Sequence, residues 1–130
     1  MKSTSSTDFD DLSGGEFETR IASILNQHGF LDVVGTPATG DQGADLIAKT
    51  NGKTIVIQAK RYQGVVGNKA VQEVVAALHF YGGNEGWVIT NSTFSSSAKE
   101  LAQRSGVMLI DGYALRDIGP FLDKWRAEHG

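Results

Sequence analysis

The sequence predicts an α/β domain, a mixed central β-sheet flanked by helices in the order α-β-β-β-α-β-α-β-α. Three observations predict it. Apolar residues recur at helical spacing in three separated stretches, first as Phe17, Ile21, Ile24 and Leu25. Short apolar runs, "TIVIQAK" and "GWVIT", lie between those stretches and are too short for helices. The dipeptide Asn51-Gly52 joins two strand-like segments, and Asn-Gly is the strongest short hairpin signal because both central residues of a type I′ turn need positive φ.

The elements follow in order. Residues 1–12 are rich in Ser, Thr and Asp and read as a flexible N-terminal segment. Ser13 and Glu16 form a capping box that opens the first helix, and Gly29 ends it. "FLDVV" is a first strand, and "GTPATGDQG" is a loop. The hairpin strands cover about 44–49 and 54–61. "NKAVQEVVAALHFY" is a helix with Asn68 as its cap and Val71, Val74, Val75 and Leu78 on one face. "GWVIT" is a buried strand, "SSSAKELAQRSG" a serine-capped helix ending at Gly106, and "VMLI" a last strand. The terminal helical region carries Leu115, Ile118, Phe121, Leu122 and Trp125, with an interruption expected near Gly119-Pro120.

Composition narrows the classes. A chain of 130 residues suits one compact domain. No apolar run is long enough to span a bilayer, and "MKSTSSTDFDD" lacks the apolar core of a signal peptide. Without cysteine there is no disulfide or thiolate metal site, and a reducing cytoplasm fits. His28, His79 and His129 are too scattered for a zinc site. The net charge of −3 argues against a general polyanion binder. Its distribution is uneven, however: Leu46 to Gln72 contains no acid but holds Lys49, Lys53, Lys60, Arg61 and Lys69.

The hairpin carries the chemistry. A two-residue Asn51-Gly52 loop places Thr50 opposite Lys53, Ile47 opposite Val56, Asp45 opposite Gln58 and Gly43 opposite Lys60. Side chains alternate, so Gln58 and Lys60 share a face, and Asp45 joins them across the ladder at about 4.5–5.5 Å between Cβ atoms. Leu46, Ala48, Ile55, Ile57 and Ala59 take the other face. A buried carboxylate, amide and ammonium need partners. One solution is an Asp45–Lys60 ion pair bridged by Gln58. The other is a divalent cation held by Asp45 and Gln58 with Lys60 near a bound water, and all-oxygen ligation selects Mg²⁺ or Mn²⁺.

"GDQGAD" (40–45), "IQAK" (57–60) and "VGNKAVQEV" (66–74) together resemble the Mrr-type catalytic domain of the restriction-endonuclease-like PD-(D/E)xK nuclease superfamily. "WVITNSTFSSSA" (87–98) and "LIDG" (109–112) add to the resemblance, which covers residues 13–118. It implies a single nuclease-like domain over 13–130 with a restriction-endonuclease-like core. The superfamily's D…(D/E)xK becomes D…QxK, with Asp45, Gln58 and Lys60 as its members.

The resemblance implies metal-dependent hydrolysis of DNA phosphodiesters, as in type IV restriction of modified DNA. Asp45 is the main ligand to Mg²⁺, for which Mn²⁺ substitutes, with Gln58 and the Ala59 backbone carbonyl as secondary ligands. Lys60 orients the attacking water and stabilises developing charge. A further carboxylate comes from the first helix. Glu18 is preferred for it because the family motif reads Phe-Glu, as in Phe17-Glu18; Glu16 is the other candidate. Asp41 is either a turn former or a ligand, and Gln72 either faces the site or belongs to a solvated helix face.

Arg61, Lys69, Lys53 and Lys99 are candidate DNA-phosphate contacts. Nothing in the sequence resembles a base-reading module. Specificity is therefore expected from a homodimer or from a larger assembly with a separate DNA-recognition domain, in a cytoplasmic, nucleoid-associated protein. The rival readings are a Holliday-junction resolvase and a non-catalytic DNA-binding or assembly module on the same fold.

Overall fold

The computed structural model describes residues 7–36 and 45–129. The chain runs α1 (Thr7–Asp10), α2 (Gly14–Gln27), β1 (Leu31–Gly35), β2 (Leu46–Thr50), β3 (Lys53–Lys60), β4 (Val65–Val66), α3 (Asn68–Tyr81), β5 (Glu85–Thr90), β6 (Thr93–Phe94), α4 (Ser96–Ser105), β7 (Met108–Ile110), α5 (Gly112–Leu115) and α6 (Ile118–Glu128). The main sheet has the order β1-β2-β3-β5-β7. Its first three strands are antiparallel, and β3, β5 and β7 are parallel. This is the mixed α/β sheet with flanking helices that the sequence predicts. Among the described residues, no helix is long and apolar enough to cross a membrane.

Helices cover both faces of the sheet, which explains why β3 and β5 are apolar runs rather than alternating ones. On one face Leu46, Ile55, Ile57 and Trp87 pack with Phe17, Ile21 and Leu25 of α2 and with Leu122 and Trp125 of α6. On the other, Val56 and Val88 pack with Val71 and Val74 of α3 and Ala98 and Ala102 of α4. The Asn51-Gly52 turn has φ of 51° and 79°, as a type I′ loop requires. Thr50 pairs with Lys53 and Ile47 with Val56, so the expected hairpin register is found there.

Three local expectations need correction, and one pair of strands is unforeseen. Residues 7–10 are helical, and Phe9 is buried edge-to-face on Phe17 at 5.9 Å, so a flexible segment over 1–12 does not describe them. A four-residue helix has no periodicity to read; Phe9 was its one signal. The terminal helices part at Arg116 and Asp117 rather than at Gly119-Pro120. Pro120 instead sits in the first turn of α6, where a missing N–H costs nothing. Gly67, not Asn68, is the N-cap of α3, and the Asn68 amide donates to Ser97 Oγ at 2.5 Å. Finally, β4 and β6 form a separate two-stranded parallel sheet, too short to show an alternation.

The Ser13–Glu16 capping box forms as expected, with Ser13 N–H donating to Glu16 Oε1 at 2.8 Å and Glu16 N–H to Ser13 Oγ at 3.1 Å. At the far end of α2, Gly29 has φ +90°, and a Cβ there would lie 2.5 Å from the Arg126 guanidinium. That guanidinium donates from Nε to the buried Thr50 hydroxyl at 2.8 Å. Gly29→Ala would strain the backbone and displace this contact. It should lower stability by about 1–3 kcal/mol, read as a lower denaturant midpoint at unchanged m.

Candidate active site

The site forms where β2 stops running beside β3. The ladder holds through Leu46 opposite Ile57 and then slips by one residue. Asp45 N–H donates to the Ile57 carbonyl at 2.8 Å, so Asp45 does not sit squarely opposite Gln58 as the hairpin register predicts. Its carboxylate reaches along β3 instead, and Oδ2 accepts the Ala59 N–H at 2.9 Å. Within a strand, the N–H and C=O of one residue point the same way. The Ala59 carbonyl therefore faces the Asp45 side as well.

Gln58 is buried, with 7% exposure, and lies on the α3 side of the sheet. Its Nε2 donates to Glu73 Oε1 of α3 at 2.9 Å. A carboxylate can only accept there, which fixes the amide orientation and leaves Gln58 Oε1 buried with no hydrogen-bond partner among the described residues. A buried orphan acceptor of this kind calls for a bound donor or cation. Lys60, two residues on, shares the face and lines a cleft of about 190 Å³ with Tyr62, Val66, Lys69 and Glu73. Among the described residues, its ammonium makes no hydrogen bond or ion pair. The anticipated Asp45–Lys60 ion pair bridged by Gln58 is thus absent within 4.0 Å.

From the opposite layer, α2 brings Glu18 beside Asp45. Burial pushes the Glu18 carboxyl above its usual range, and the charge of Asp45 and a hydrogen bond with it add to the rise. Asp45 is also raised, by burial first. The Ala59 N–H and the Lys60 ammonium pull it back, the charge of Glu73 raises it further, and the hydrogen bond with Glu18 lowers it. Two carboxyls in contact, with a third behind them, resist simultaneous ionisation unless a cation joins them. Among the described residues, no three acidic or histidine side chains converge on one metal position. This follows from the composition of the site: an amide stands where a third acid would, and Glu73 is turned toward that amide.

The structure sorts the remaining candidates. Glu16 is occupied in its cap and exposed, so Glu18 is the helix carboxyl that meets Asp45. Gln72 is exposed and donates to Asn68 Oδ1 at 2.8 Å, away from the site. Glu73, its neighbour, is the site residue that sequence reasoning missed. The buried stripe of α3 is Ala70, Val71, Val74 and Ala77. At about 100° per residue, Gln72 lies nearly opposite that stripe while Glu73 flanks it, so helical phase was the signal to use. Lys69 adjoins the cleft, with its Nζ 4.0 Å from Glu73. Arg61 follows Lys60 directly. Lys53 is at the other end of β3, about 23 Å away at strand rise. Lys99 lines a hollow with Glu85, Gln103 and His129, at the sheet end where β5 begins. Asp41 and Gly43 lie outside the described residues.

This architecture places the chain among proteins of restriction-endonuclease fold. It superposes on MspJI restriction endonuclease in complex with a 27-mer oligonucleotide with a TM-score of 0.65 and 22% identity, covering 95% of this chain and 33% of that one. It superposes on the DNA modification-dependent restriction endonuclease AspBHI with a TM-score of 0.69 and 16% identity, covering 98% and 40%. The sequence makes the assignment more specific: residues 9–118 match the restriction-endonuclease family of Mrr catalytic domains, and the chain belongs to that family. It is 32% identical over 112 residues to the type IV methyl-directed restriction enzyme EcoKMrr of Escherichia coli (strain K12), covering 80% of this chain and 37% of that protein. The chain thus spans a little over a third of the length of the curated relative it matches.

Proposed function

We propose that this chain is the catalytic domain of an Mg²⁺-dependent endodeoxyribonuclease that restricts modified DNA. The observation that carries this reading is the buried Gln58 Oε1, which has no hydrogen-bond partner among the described residues, in a site where Glu18 lies beside Asp45 and the Ala59 N–H holds the Asp45 carboxylate. The oxygens of Asp45, Gln58, Glu18 and the Ala59 carbonyl suit a hard cation such as Mg²⁺ or Mn²⁺. A divalent cation there would polarise the scissile phosphate and acidify a bound water.

The chain's own groups do the rest. Asp45 holds the charged end of the site, fixed by the Ala59 N–H. Glu73 holds the Gln58 amide so that its oxygen, not its nitrogen, is presented. The Lys60 ammonium donates to a non-bridging phosphate oxygen, or to the attacking water, as negative charge develops. Lys69 in the cleft wall, and Arg61 next to Lys60 in the chain, contact flanking phosphates without reading bases. Recognition of the modification is assigned to a separate domain or to a second copy of the chain.

The test is a cleavage panel on methylated plasmid, unmethylated plasmid and a four-way junction, with Mg²⁺, Mn²⁺ and EDTA arms. The reading expects metal-dependent cutting of plasmid that EDTA abolishes. Preference for the junction would support a resolvase instead. Tight DNA retention with no cutting in any arm would support a binding module and overturn the reading.

A further inference from the structure

We propose that Asn91 is a positioning residue of this site, the hub through which α1 locks the chain segment leaving the catalytic lysine; the inference rests on the nuclease reading above. The parallel pairing of β3 and β5 ends with Lys60 beside Thr90. Beyond it, Thr90, Asn91 and Ser92 hold alternate residues of the departing chain by their side chains. The buried Thr90 hydroxyl donates to the Lys60 carbonyl at 2.6 Å. Asn91 Oδ1 accepts the Tyr62 N–H at 2.7 Å. Ser92 Oγ donates to the Gly64 carbonyl at 2.5 Å. The ladder is continued by three consecutive side chains, so Lys60 is the last residue held by strand and the first held by this brace.

Asn91 alone reaches further. Its Nδ2 donates to Asp10 Oδ1 of α1 at 2.7 Å. The chain beside it is held in turn: Gly112 N–H donates to the neighbouring Ser92 carbonyl at 2.8 Å, and a Cβ on Gly112 would come 2.1 Å from the Asn91 carbonyl oxygen. The glycine of "LIDG" is therefore required by the approach of Asn91. Both amide atoms of Asn91 are committed, one to the chain after Lys60 and one to a helix anchored by Phe9 in the core. Asp10, Thr90, Asn91 and Ser92 do not line the cleft that Lys60 lines. Their effect is on where the Lys60 ammonium and the exposed Tyr62, which lines the same cleft, are presented.

The test uses Asn91→Ala, Asn91→Asp, and Asn91→Asp combined with Asp10→Asn, each assayed for kcat, KM, DNA affinity and Tm. Asn91→Ala should lower kcat by about ten- to hundredfold, the scale of a 1 Å misplacement, with KM within about twofold. Asn91→Asp keeps the acceptor for Tyr62 but sets two carboxylates against each other, so kcat should fall. Adding Asp10→Asn restores the pair with donor and acceptor exchanged and should return kcat to within about threefold of the parent. A merely structural role would not give that rescue or that split between kcat and KM. Unchanged kcat in Asn91→Ala overturns the proposal, as does a double variant no better than Asn91→Asp. Should Asn91→Ala fail to fold, the two aspartate variants decide it. A parent protein that cuts nothing in any metal arm is a different failure, that of the nuclease reading itself.

Discussion

Lys60→Ala should lower single-turnover cleavage by about 10³-fold and leave the fold intact. Among the described residues, the ammonium has no hydrogen-bond or ion-pair partner, so its removal breaks no contact that holds the domain together. It does remove two electrostatic contributions. A preorganised donor aimed at developing charge is worth about 10²–10³ in rate. Lys60 also pulls the Asp45 carboxyl downward against burial, so without it Asp45 holds its proton to higher pH and presents less charge to a cation. The second effect adds a displacement of the pH–rate profile to higher pH, which a simple loss of a phosphate contact would not give. DNA retention should fall only a few-fold, with the salt slope reduced by about one, because Lys69 remains in the cleft wall. Plasmid cleavage and fluorescence anisotropy on the same preparations check both. Cleavage within tenfold of the parent would remove Lys60 from the chemistry.

The parts of this site that could be read from sequence are those fixed by local rules. Asn-Gly sets the turn, the turn sets the register, and the register puts Gln58 and Lys60 on one face. The same logic erred at Asp45 because a register extrapolated past the end of a ladder ignores the slip there, where the Asp45 N–H bonds Ile57. Sequence arithmetic treats a strand as ideal, whereas a strand end bends to aim a side chain. The capping box was legible, and it also argued correctly that Glu16 was occupied; Glu18 then met Asp45 from the other layer. Glu73 is legible only once the phase of α3 against the sheet is fixed by its buried stripe of Ala70, Val71, Val74 and Ala77. Asn91 was invisible for a different reason. Its partners, Tyr62 and Asp10, are far away in the chain, and no spacing rule brings them together.

Asp45→Asn should abolish cutting, by roughly 10³-fold or some 4 kcal/mol of barrier, yet make the metal-free domain more stable at pH 8. The amide oxygen can still accept the Ala59 N–H, so the local backbone keeps its partner. What disappears is a half-buried charge set against Glu18 and Glu73. The sign follows from linkage. The folded state raises Asp45 above its ordinary value of 3.8, so folded protein keeps a proton that unfolded protein has released. The stabilising contribution of that proton is complete below about pH 3.8 and is lost as pH rises through the raised folded value. Glu18, raised from 4.5, behaves with the same sign. The Tm difference between variant and parent should therefore be small at low pH and grow in favour of the variant toward pH 8. Mg²⁺ or Mn²⁺ should then raise the Tm of the parent more at pH 8 than at pH 5.5, because the cation takes over from the proton. The variant should respond weakly at both. A parent whose Tm ignores divalent cations across this range, or a variant that is less stable than the parent at pH 8, would show that Asp45 is held for packing rather than poised to bind a cation.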